Sequence, residues 1–249
     1  MSSTYIYGIA SADHPSLPTG MEGIGDPARK VRLVEEGALT AIVSDAPDDL
    51  RPKRRDLLAH QNVLSESGGG GAVLPMRFGS IAPDDDAVAM VLAERAEHYH
   101  ERLRALEGKV EYNVKAQHDE AAVLHRVMAE NAEIRTLTEA NRQAGGGSHE
   151  ERLRLGEMVV AAVQGREAQD AVALQRLLEP SADAVSTGPE STGWLANLSF
   201  LVDTKAVEHF LAAVETVRSD YAHLELRVNG PLPPYSFVEP GPSAPVGTE

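Results

Sequence analysis

The chain has 249 residues, a formal net charge of −15 and no cysteine. The excess of carboxylates argues against nucleic acid and anionic membranes as partners, because phosphate groups are bound by clustered lysine and arginine. The lack of cysteine excludes disulfides, thiolate catalysis and cysteine-ligated zinc. Without a signal-peptide pattern or an apolar run long enough for a membrane span, the chain is expected in the cytoplasm.

The N-terminal half is predicted to alternate short strands with one helix. Strands are predicted over residues 5–10, 31–34, 38–43 and 73–78, and a helix over about 53–66. Residues 11–27 are rich in proline and glycine and are predicted to form a loop. Leu57, Leu58, Val63 and Leu64 suit this helix, which ends at a run of four glycines. Pro75 restricts its strand to a sheet edge or a strand start.

A second helix is predicted over residues 84–107, where it connects two domains. The helix is predicted to begin at three consecutive aspartates, because carboxylates stabilise the positive end of a helix dipole. The apolar residues predicted to form its buried face are Val88, Val91, Leu92, Leu103 and Leu106. Gly108 ends the helix.

The C-terminal half shows a clearer order of elements. A strand with alternating polarity around Tyr112 precedes a helix over about 120–143. Ser148 and Glu151 have the spacing of a capping box, so a further helix begins there and ends before Pro180. The remaining pattern predicts strands over 184–187, 194–202 and 224–228 and a helix over 204–221, with Val207, Phe210, Leu211, Val214 and Val217 facing inward.

These patterns predict an α+β fold of two domains. The C-terminal domain, 108–238, has the βαββαβ order of a ferredoxin-like fold with its first helix enlarged into a helical hairpin. The N-terminal domain, 1–83, is predicted to be a modified ferredoxin-like domain in which a loop replaces the first helix. Residues 239–249 are predicted to be a disordered tail, because proline, glycine, serine and alanine dominate them.

Motifs for catalysis or metal binding are weak in this sequence. Glu94, His98 and Glu101 share a helical face, but no second metal-binding motif supports them, so they are interpreted as an exposed face. His118 and His125 are interpreted in the same way. The glycine run lacks the lysine of a phosphate loop, and no nucleophile elbow is present. The sequence therefore predicts no catalytic residue, metal or cofactor.

Two motifs carry most of the remaining information. We call residues 74–80 (LPMRFGS) the central motif and residues 227–237 (RVNGPLPPYSF) the terminal motif. The candidate structural or partner-binding residues are Met76, Arg77, Phe78, Gly79, Asn229, Gly230, Pro231, Pro233, Pro234, Tyr235 and Phe237. Arg77 is interpreted first as a member of a structural ion pair, with contact to a partner as the alternative.

The terminal motif has a physical rationale. Asn229 and Gly230 permit a positive φ and predict a sharp turn after the last strand. The prolines that follow favour an extended course, which places Tyr235 and Phe237 on one side as a packed pair. A C-terminus that covers a sheet edge is the favoured interpretation. An exposed surface of aromatic and proline residues for a partner is the alternative.

Together the motifs resemble the GvpF/GvpL family of gas vesicle proteins. The resemblance rests on the start Tyr5-Ile6-Tyr7-Gly8-Ile9, the central motif, the glycine-broken helical centre and the terminal motif, and it spans roughly residues 4–238. One departure is Leu232, where the family often has tryptophan. That departure weakens any claim that an aromatic residue at this place contacts a partner.

The resemblance implies a non-enzymatic accessory protein of gas vesicle formation, located at the gas vesicle and in the cytoplasm. Its implied partners are the small hydrophobic shell protein, gas vesicle protein A, and other accessory proteins, with no small-molecule substrate. A shell protein exposes apolar surface before assembly and aggregates unless that surface is covered. The alternative is an enzyme or a small-molecule-binding module on a doubled ferredoxin-like scaffold, because fold alone does not exclude chemistry.

Overall fold

The computed structural model describes residues 3–14, 20–189 and 192–239. The chain divides into two compact units, one of Met1–Glu111 with Gly230–Glu249 and one of Tyr112–Asn229. The first unit includes the helices over 85–106 and the end of the terminal motif, so it differs from the domain division drawn from the sequence, which stays a prediction. The predicted tail, apart from Glu239, lies outside the described residues. In the described ranges, no helix is both long and apolar enough to span a membrane.

The first unit is built on an antiparallel sheet. The strands of this unit are β1 (Thr4–Ser11), β2 (Glu22–Gly25), β3 (Ala28–Lys30), β4 (Arg32–Glu36), β5 (Leu39–Asp45), β6 (Val73–Pro75) and β7 (Ile81–Ala82). The sheet order is β4-β5-β1-β6, with β7 also paired to β1, while β2 and β3 form a separate hairpin. Pro75 therefore lies in an edge strand, as predicted, where its missing N–H costs no ladder hydrogen bond.

The segment over residues 11–27 is not only a loop, because β2 lies within it. Gly23 passes so close to Tyr7 that a Cβ atom there would lie 1.9 Å from the tyrosine oxygen. The next residue, Ile24, is fully buried, and its backbone N–H donates to the same oxygen at 2.9 Å. This strand pairs with β3 and packs against α1 and Tyr7 of β1, so the local sequence carried no periodic signal for it.

Three helices complete the first unit: α1 (Arg54–Gly68), α2 (Asp85–Glu94) and α3 (Ala96–Leu106). Helix α1 forms where it was predicted, with Val63 and Leu64 buried, whereas Leu57 and Leu58 are 42% and 48% exposed. Asp56 is buried instead, and its carboxylate accepts a hydrogen bond from the Gly25 N–H at 3.0 Å. The Asp56 carboxylate thus gives a buried backbone donor its hydrogen-bond partner.

The predicted helix over 84–107 is two helices. Arg95 leaves helical geometry, with φ −112° and ψ 20°, and separates α2 from α3. Val88, Leu92, Leu103 and Leu106 are buried as predicted, whereas Val91 is exposed. The face proposed for Glu94, His98 and Glu101 crosses this break, so the three side chains do not follow one helical stripe.

The second unit follows the predicted order of elements. In chain order these are β8 (Lys109–His118), α4 (Glu120–Glu130), α5 (Ala132–Gln143), α6 (His149–Leu178), β9 (Ala184–Thr187), β10 (Ala196–Asp203), α7 (Val207–Asp220) and β11 (Leu224–Leu232). The sheet order is β11-β8-β10-β9. The α+β fold class is confirmed.

Helix caps explain where the helices of the second unit begin. The predicted helix over 120–143 is split at Asn131, whose side chain accepts from the N–H groups of Glu133 and Ile134 and so starts α5. The capping box of Ser148 and Glu151 is present, and α6 ends at Leu178, ahead of the proline, as predicted. Leu211 was predicted to be buried in α7 but is exposed.

Candidate functional site

The central and terminal motifs meet at one buried side chain, His60 of α1. The Tyr5 hydroxyl lies 2.8 Å from His60 Nδ1, and His60 Nε2 lies 3.1 Å from the Met76 carbonyl oxygen. The carbonyl can only accept, so Nε2 carries the proton and Nδ1 accepts from the tyrosine. The imidazole contacts Phe78 edge-on and stacks on Tyr235 at centroid distances of 5.9 and 6.5 Å.

Burial keeps the groups around His60 neutral. It lowers the pKa of His60, although the Met76 carbonyl acts in the opposite direction. Burial also raises the pKa of Tyr5 and, with a smaller contribution from Glu111, raises the pKa of Tyr235 to about 12. A neutral imidazole with both nitrogens engaged by protein groups fits a structural role better than acid–base catalysis.

The terminal motif is held within the first unit by two charged side chains. Buried Glu111 accepts from the Ser236 N–H at 2.8 Å and from the Ser236 hydroxyl at 2.7 Å. Arg102 of α3 donates to the carbonyl oxygens of Phe237 and Val238 at 2.7 and 3.2 Å. Hydrogen bonds to ionised groups are stronger than neutral ones, so the backbone of the motif is fixed in place.

The course of the terminal motif differs from the prediction. Neither Asn229 nor Gly230 has a positive φ; β11 continues through them to Leu232, with a cis peptide bond at Pro231. Strand pairing therefore replaces the predicted sharp turn. Residues 235–237 form a 3₁₀ turn and not an extended pair, with Tyr235 on His60 and Phe237 buried.

The other prolines and the central motif lie at the surface to different degrees. Pro234 is buried, Pro233 is half-buried and Pro231 is exposed. Met76 and Phe78 are half-buried, while Arg77 and Gly79 are exposed in a turn. Within residues 3–14, 20–189 and 192–239 no ion pair includes Arg77, and its interpretation as a member of a structural ion pair stays a prediction. Its guanidinium is available to solvent.

The contact of Arg102 with the terminal motif is testable. Arg102→Ala removes two charge-assisted hydrogen bonds and is expected to lower the free energy of unfolding by about 1–3 kcal/mol. It should also speed proteolytic removal of residues beyond Phe237, measured by limited proteolysis with mass spectrometry. Arg104→Ala, an exposed arginine of the same helix, is the matched control. Equal proteolysis of the two variants would show that Arg102 does not hold the terminal motif.

A second buried cluster lies in the second unit, around Asp170 of α6. Its carboxylate, fully buried, accepts from His118 Nε2 at 2.9 Å and from His223 Nε2 at 2.7 Å. Arg166, one turn earlier, donates to both carboxylate oxygens, the shortest contact being 2.6 Å. Burial acts to raise the pKa of Asp170, but the hydrogen bonds from Arg166, His118 and His223 outweigh it and lower that pKa to about 2.

This cluster was not predicted from the sequence. His118 and His125 were interpreted as residues of an exposed helix, whereas His118 ends β8 and His125 is exposed on α4. Asp170 is separated from the two clustered histidines by 52 and 53 residues. No local spacing rule connects residues so far apart, so only the fold reveals their contact.

The three side chains have the composition of a metal site, with potential ligand atoms all within 4.8 Å of one another. Their geometry favours hydrogen bonds. Ligand atoms around a tetrahedral zinc ion lie roughly 3.3 Å apart, given bonds of about 2.0 Å. Both imidazole nitrogens are closer than that to the same carboxylate oxygen, and a guanidinium already occupies both oxygens. We therefore interpret the cluster as a buried hydrogen-bond network.

An open groove of ≈ 800 Å³ lies in the second unit between α6 and the segment that leads into β10. Trp194 lines it, with Lys115 Nζ and Arg227 Cζ at 5.7 and 5.3 Å from the ring centroid. Among the described residues that line the groove, the only ionisable side chain is Glu167. The groove thus offers an aromatic surface but no acid–base pair for catalysis.

Comparison with known proteins gives the same family across the chain. The family model described as "Gas vesicle synthesis protein GvpL/GvpF" matches residues 3–239. Gas vesicle protein F of Streptomyces sp. (strain CB03234) is 66% identical over 237 residues, which cover 95% of this chain and 100% of that protein. Gas vesicle protein L of the same strain is 28% identical, with 94% and 92% covered.

Solved structures agree with the fold. The crystal structure of the gas vesicle protein GvpF from Anabaena sp. PCC7120 has a TM-score of 0.75 at 23% identity, covering 97% of this chain and 98% of that one. GvpF from Microcystis aeruginosa has a TM-score of 0.70 at 23% identity, covering 96% and 100%. With the family model and the Streptomyces relative, these matches confirm the resemblance: the chain belongs to the GvpL/GvpF family of gas vesicle synthesis proteins.

Proposed function

We propose that this chain is a non-enzymatic accessory protein of gas vesicle assembly. In this proposal it binds the hydrophobic shell protein, gas vesicle protein A, and other accessory proteins while a vesicle nucleates. It acts in the cytoplasm and at the gas vesicle. The observation that carries the proposal is the family match over residues 3–239, supported by 66% identity to a gas vesicle protein F.

We also propose that both units are variants of one ferredoxin-like plan. A ferredoxin-like sheet has four strands, with the first between the fourth and the third, and the second at the edge beside the third. Written from the fourth strand to the second, the order is β6-β1-β5-β4 in one unit and β11-β8-β10-β9 in the other. The β2–β3 hairpin takes the place of the first helix in the N-terminal unit, and α4, α5 and α6 enlarge it in the C-terminal unit.

The two motifs have different roles in this proposal. The aromatic residues of the terminal motif are turned into the first unit, where Tyr235 stacks on His60 and Phe237 is buried, so they stabilise the fold. Arg77 remains as an exposed cation without an ion pair among the described residues, in a chain of net charge −15. Half-buried Met76 and Phe78 flank it with apolar surface. This combination suits contact with a partner that presents a carboxylate beside an apolar patch.

The test is a co-expression pull-down of the full chain with the shell protein at physiological salt. Arg77→Glu is expected to reduce capture about tenfold, the effect of losing about 1.4 kcal/mol at one charge-assisted contact. Arg176→Glu, which makes the same charge change at an exposed position of α6, should leave capture unchanged. A chain truncated at residue 229 would be a less specific test than these point variants, because truncation would also remove the buried ring of Phe237.

The outcomes separate the two parts of the proposal. Failure of the intact chain to capture the shell protein would contradict direct binding. Capture that falls equally in both variants would show that net charge, and not the central motif, governs the contact. Circular dichroism of each variant establishes that the fold is retained.

A further inference from the structure

We propose that the network around buried Asp170 is a proton-sensitive lock that joins α6 to the end of β8 and to His223, the residue before β11, at neutral pH and opens in mildly acidic solution. We call it the Asp170 network; its members are His118, Arg126, Glu130, Arg166, Asp170 and His223. The proposal concerns the second unit alone and does not depend on binding to the shell protein.

The hydrogen bonds assign the tautomers of both histidines. Each imidazole directs Nε2 at the same Asp170 oxygen, so each Nε2 carries a proton and donates it. Arg126 Nη1 lies 3.2 Å from His223 Nδ1. Because a guanidinium cannot accept, His223 Nδ1 is the acceptor and the ring is neutral.

A second proton would have to enter each ring at Nδ1, and the structure accommodates it at neither place. His118 Nδ1 is buried, and no hydrogen-bond partner for it exists among the described residues. His223 Nδ1 faces an arginine donor, so a proton there would oppose another N–H. Burying a polar N–H without an acceptor is costly, so protonation of either ring favours opening of the network.

The charges of the network are balanced only while both rings are neutral. Asp170 is paired with Arg166, and Glu130 lies 2.9 Å from Arg126 Nε and 3.4 Å from Arg166 Nη1. Two carboxylates thus offset two guanidinium groups. Tyr221, whose ring centroid is 5.9 Å from that of His223, adds no charge at neutral pH. Each imidazolium would add one positive charge that no further carboxylate of the network compensates.

The direction of the pH effect follows from the neutral state. Burial lowers the pKa of His223, and Arg126 and Arg166 lower it further, whereas the hydrogen bond to Asp170 opposes this. The unfolded chain accepts the proton near the ordinary value of 6.5, while the folded chain accepts it only at lower pH. The stability that depends on the neutral ring is therefore fully present above 6.5 and is lost as the pH falls below it.

The test measures urea unfolding of the full chain between pH 7.5 and 5, with hydrogen exchange of the α6 amides at both limits. In the parent chain the unfolding constant is expected to rise by up to about tenfold per pH unit below pH 6.5, where the unfolded chain takes up a proton that His223 of the folded chain does not accept. Exchange protection of α6 around Asp170 should fall together with it. The double variant His118→Gln/His223→Gln keeps an amide donor at each position but does not titrate, so its pH dependence should be flatter.

Controls make the outcome specific to the network. His125→Gln removes an exposed histidine of α4 and should keep the pH dependence of the parent. Buried His60 contributes equally to every variant, so it cancels in the differences. If the double variant does not fold, Arg126→Gln replaces the donor that faces His223 Nδ1 with a side chain that can accept, and it should also reduce the pH dependence.

Two results would overturn the proposal. The first is a pH dependence that neither the double variant nor Arg126→Gln reduces. The second is a rise in the unfolding midpoint with one equivalent of zinc that the double variant abolishes, since that would identify a metal site. An unchanged midpoint with zinc, together with a flatter pH profile in the variants, supports the lock.

Discussion

His60→Ala is expected to lower the free energy of unfolding by about 3–5 kcal/mol, comparable to removal of a large buried side chain with its polar contacts. The change would leave a cavity between Tyr7, Phe78 and Tyr235, whose rings all contact the imidazole. It would also deprive the Tyr5 hydroxyl of its acceptor and the Met76 carbonyl of its donor. Urea denaturation followed by circular dichroism measures the loss.

Two further variants separate packing from hydrogen bonding at this position. His60→Phe retains an aromatic ring but no polar atom, so it should cost about 1–3 kcal/mol for the groups left without partners. Gln61→Ala, at the exposed neighbouring position of α1, should change stability by less than about 0.5 kcal/mol. A loss below about 1 kcal/mol for His60→Ala would mean that the two motifs are held together by other contacts.

The elements that were predicted correctly from the sequence are those determined by residues close together in the chain. The capping box of Ser148 and Glu151 requires residues only three positions apart, and it starts α6 where the pattern placed it. The alternation around Tyr112 likewise marks β8, because one face of a strand is buried. Even the break at Asn131 has a local signal, since asparagine is a strong N-cap, but the apolar period on either side concealed it.

The elements that sequence predicted poorly depend on distant partners. Asp56 is buried in α1 and accepts a hydrogen bond from the Gly25 N–H, whereas Leu57 and Leu58 beside it are exposed. The β2 strand pairs with β3 and packs on α1, and the lack of a side chain at Gly23 allows its close approach to Tyr7. Hydrophobic periodicity counts apolar residues and carries no information about a backbone donor that arrives from another part of the chain.

At the candidate site, too, the local motifs were predicted from the sequence but the distant partner was not. The central and terminal motifs were singled out from the sequence, and the structure places Phe78 and Tyr235 against one imidazole. The histidine that joins them was not singled out, because a lone histidine in an amphipathic helix carries no signal of its partners. Arg77 was interpreted as an ion-pair member on general grounds. It is exposed and makes no ion pair with the described residues, which favours the partner contact proposed above.

Asp170→Ala is expected to be among the most destabilising single changes in the second unit, with a loss of about 3–5 kcal/mol. Removing one partner of a buried charge network leaves the others uncompensated, and here three side chains donate to one carboxylate. Arg166 is 15% exposed and retains Glu130 at 3.4 Å, which limits the loss. His118 and His223 have no comparable substitute among the described residues.

The size of the loss in the free energy of unfolding distinguishes a buried network from a surface ion pair. Glu167→Ala, an exposed acidic residue of the same helix, is the matched control and should cost less than about 0.5 kcal/mol. Asp170→Asn retains the shape but replaces an acceptor oxygen with an amide that opposes the Arg166 donors, so it should lose most of the same stability. Urea denaturation at pH 7.5 measures all three variants. A loss for Asp170→Ala within the range of exposed pairs, about 0–1 kcal/mol, would mean that water enters and replaces the carboxylate.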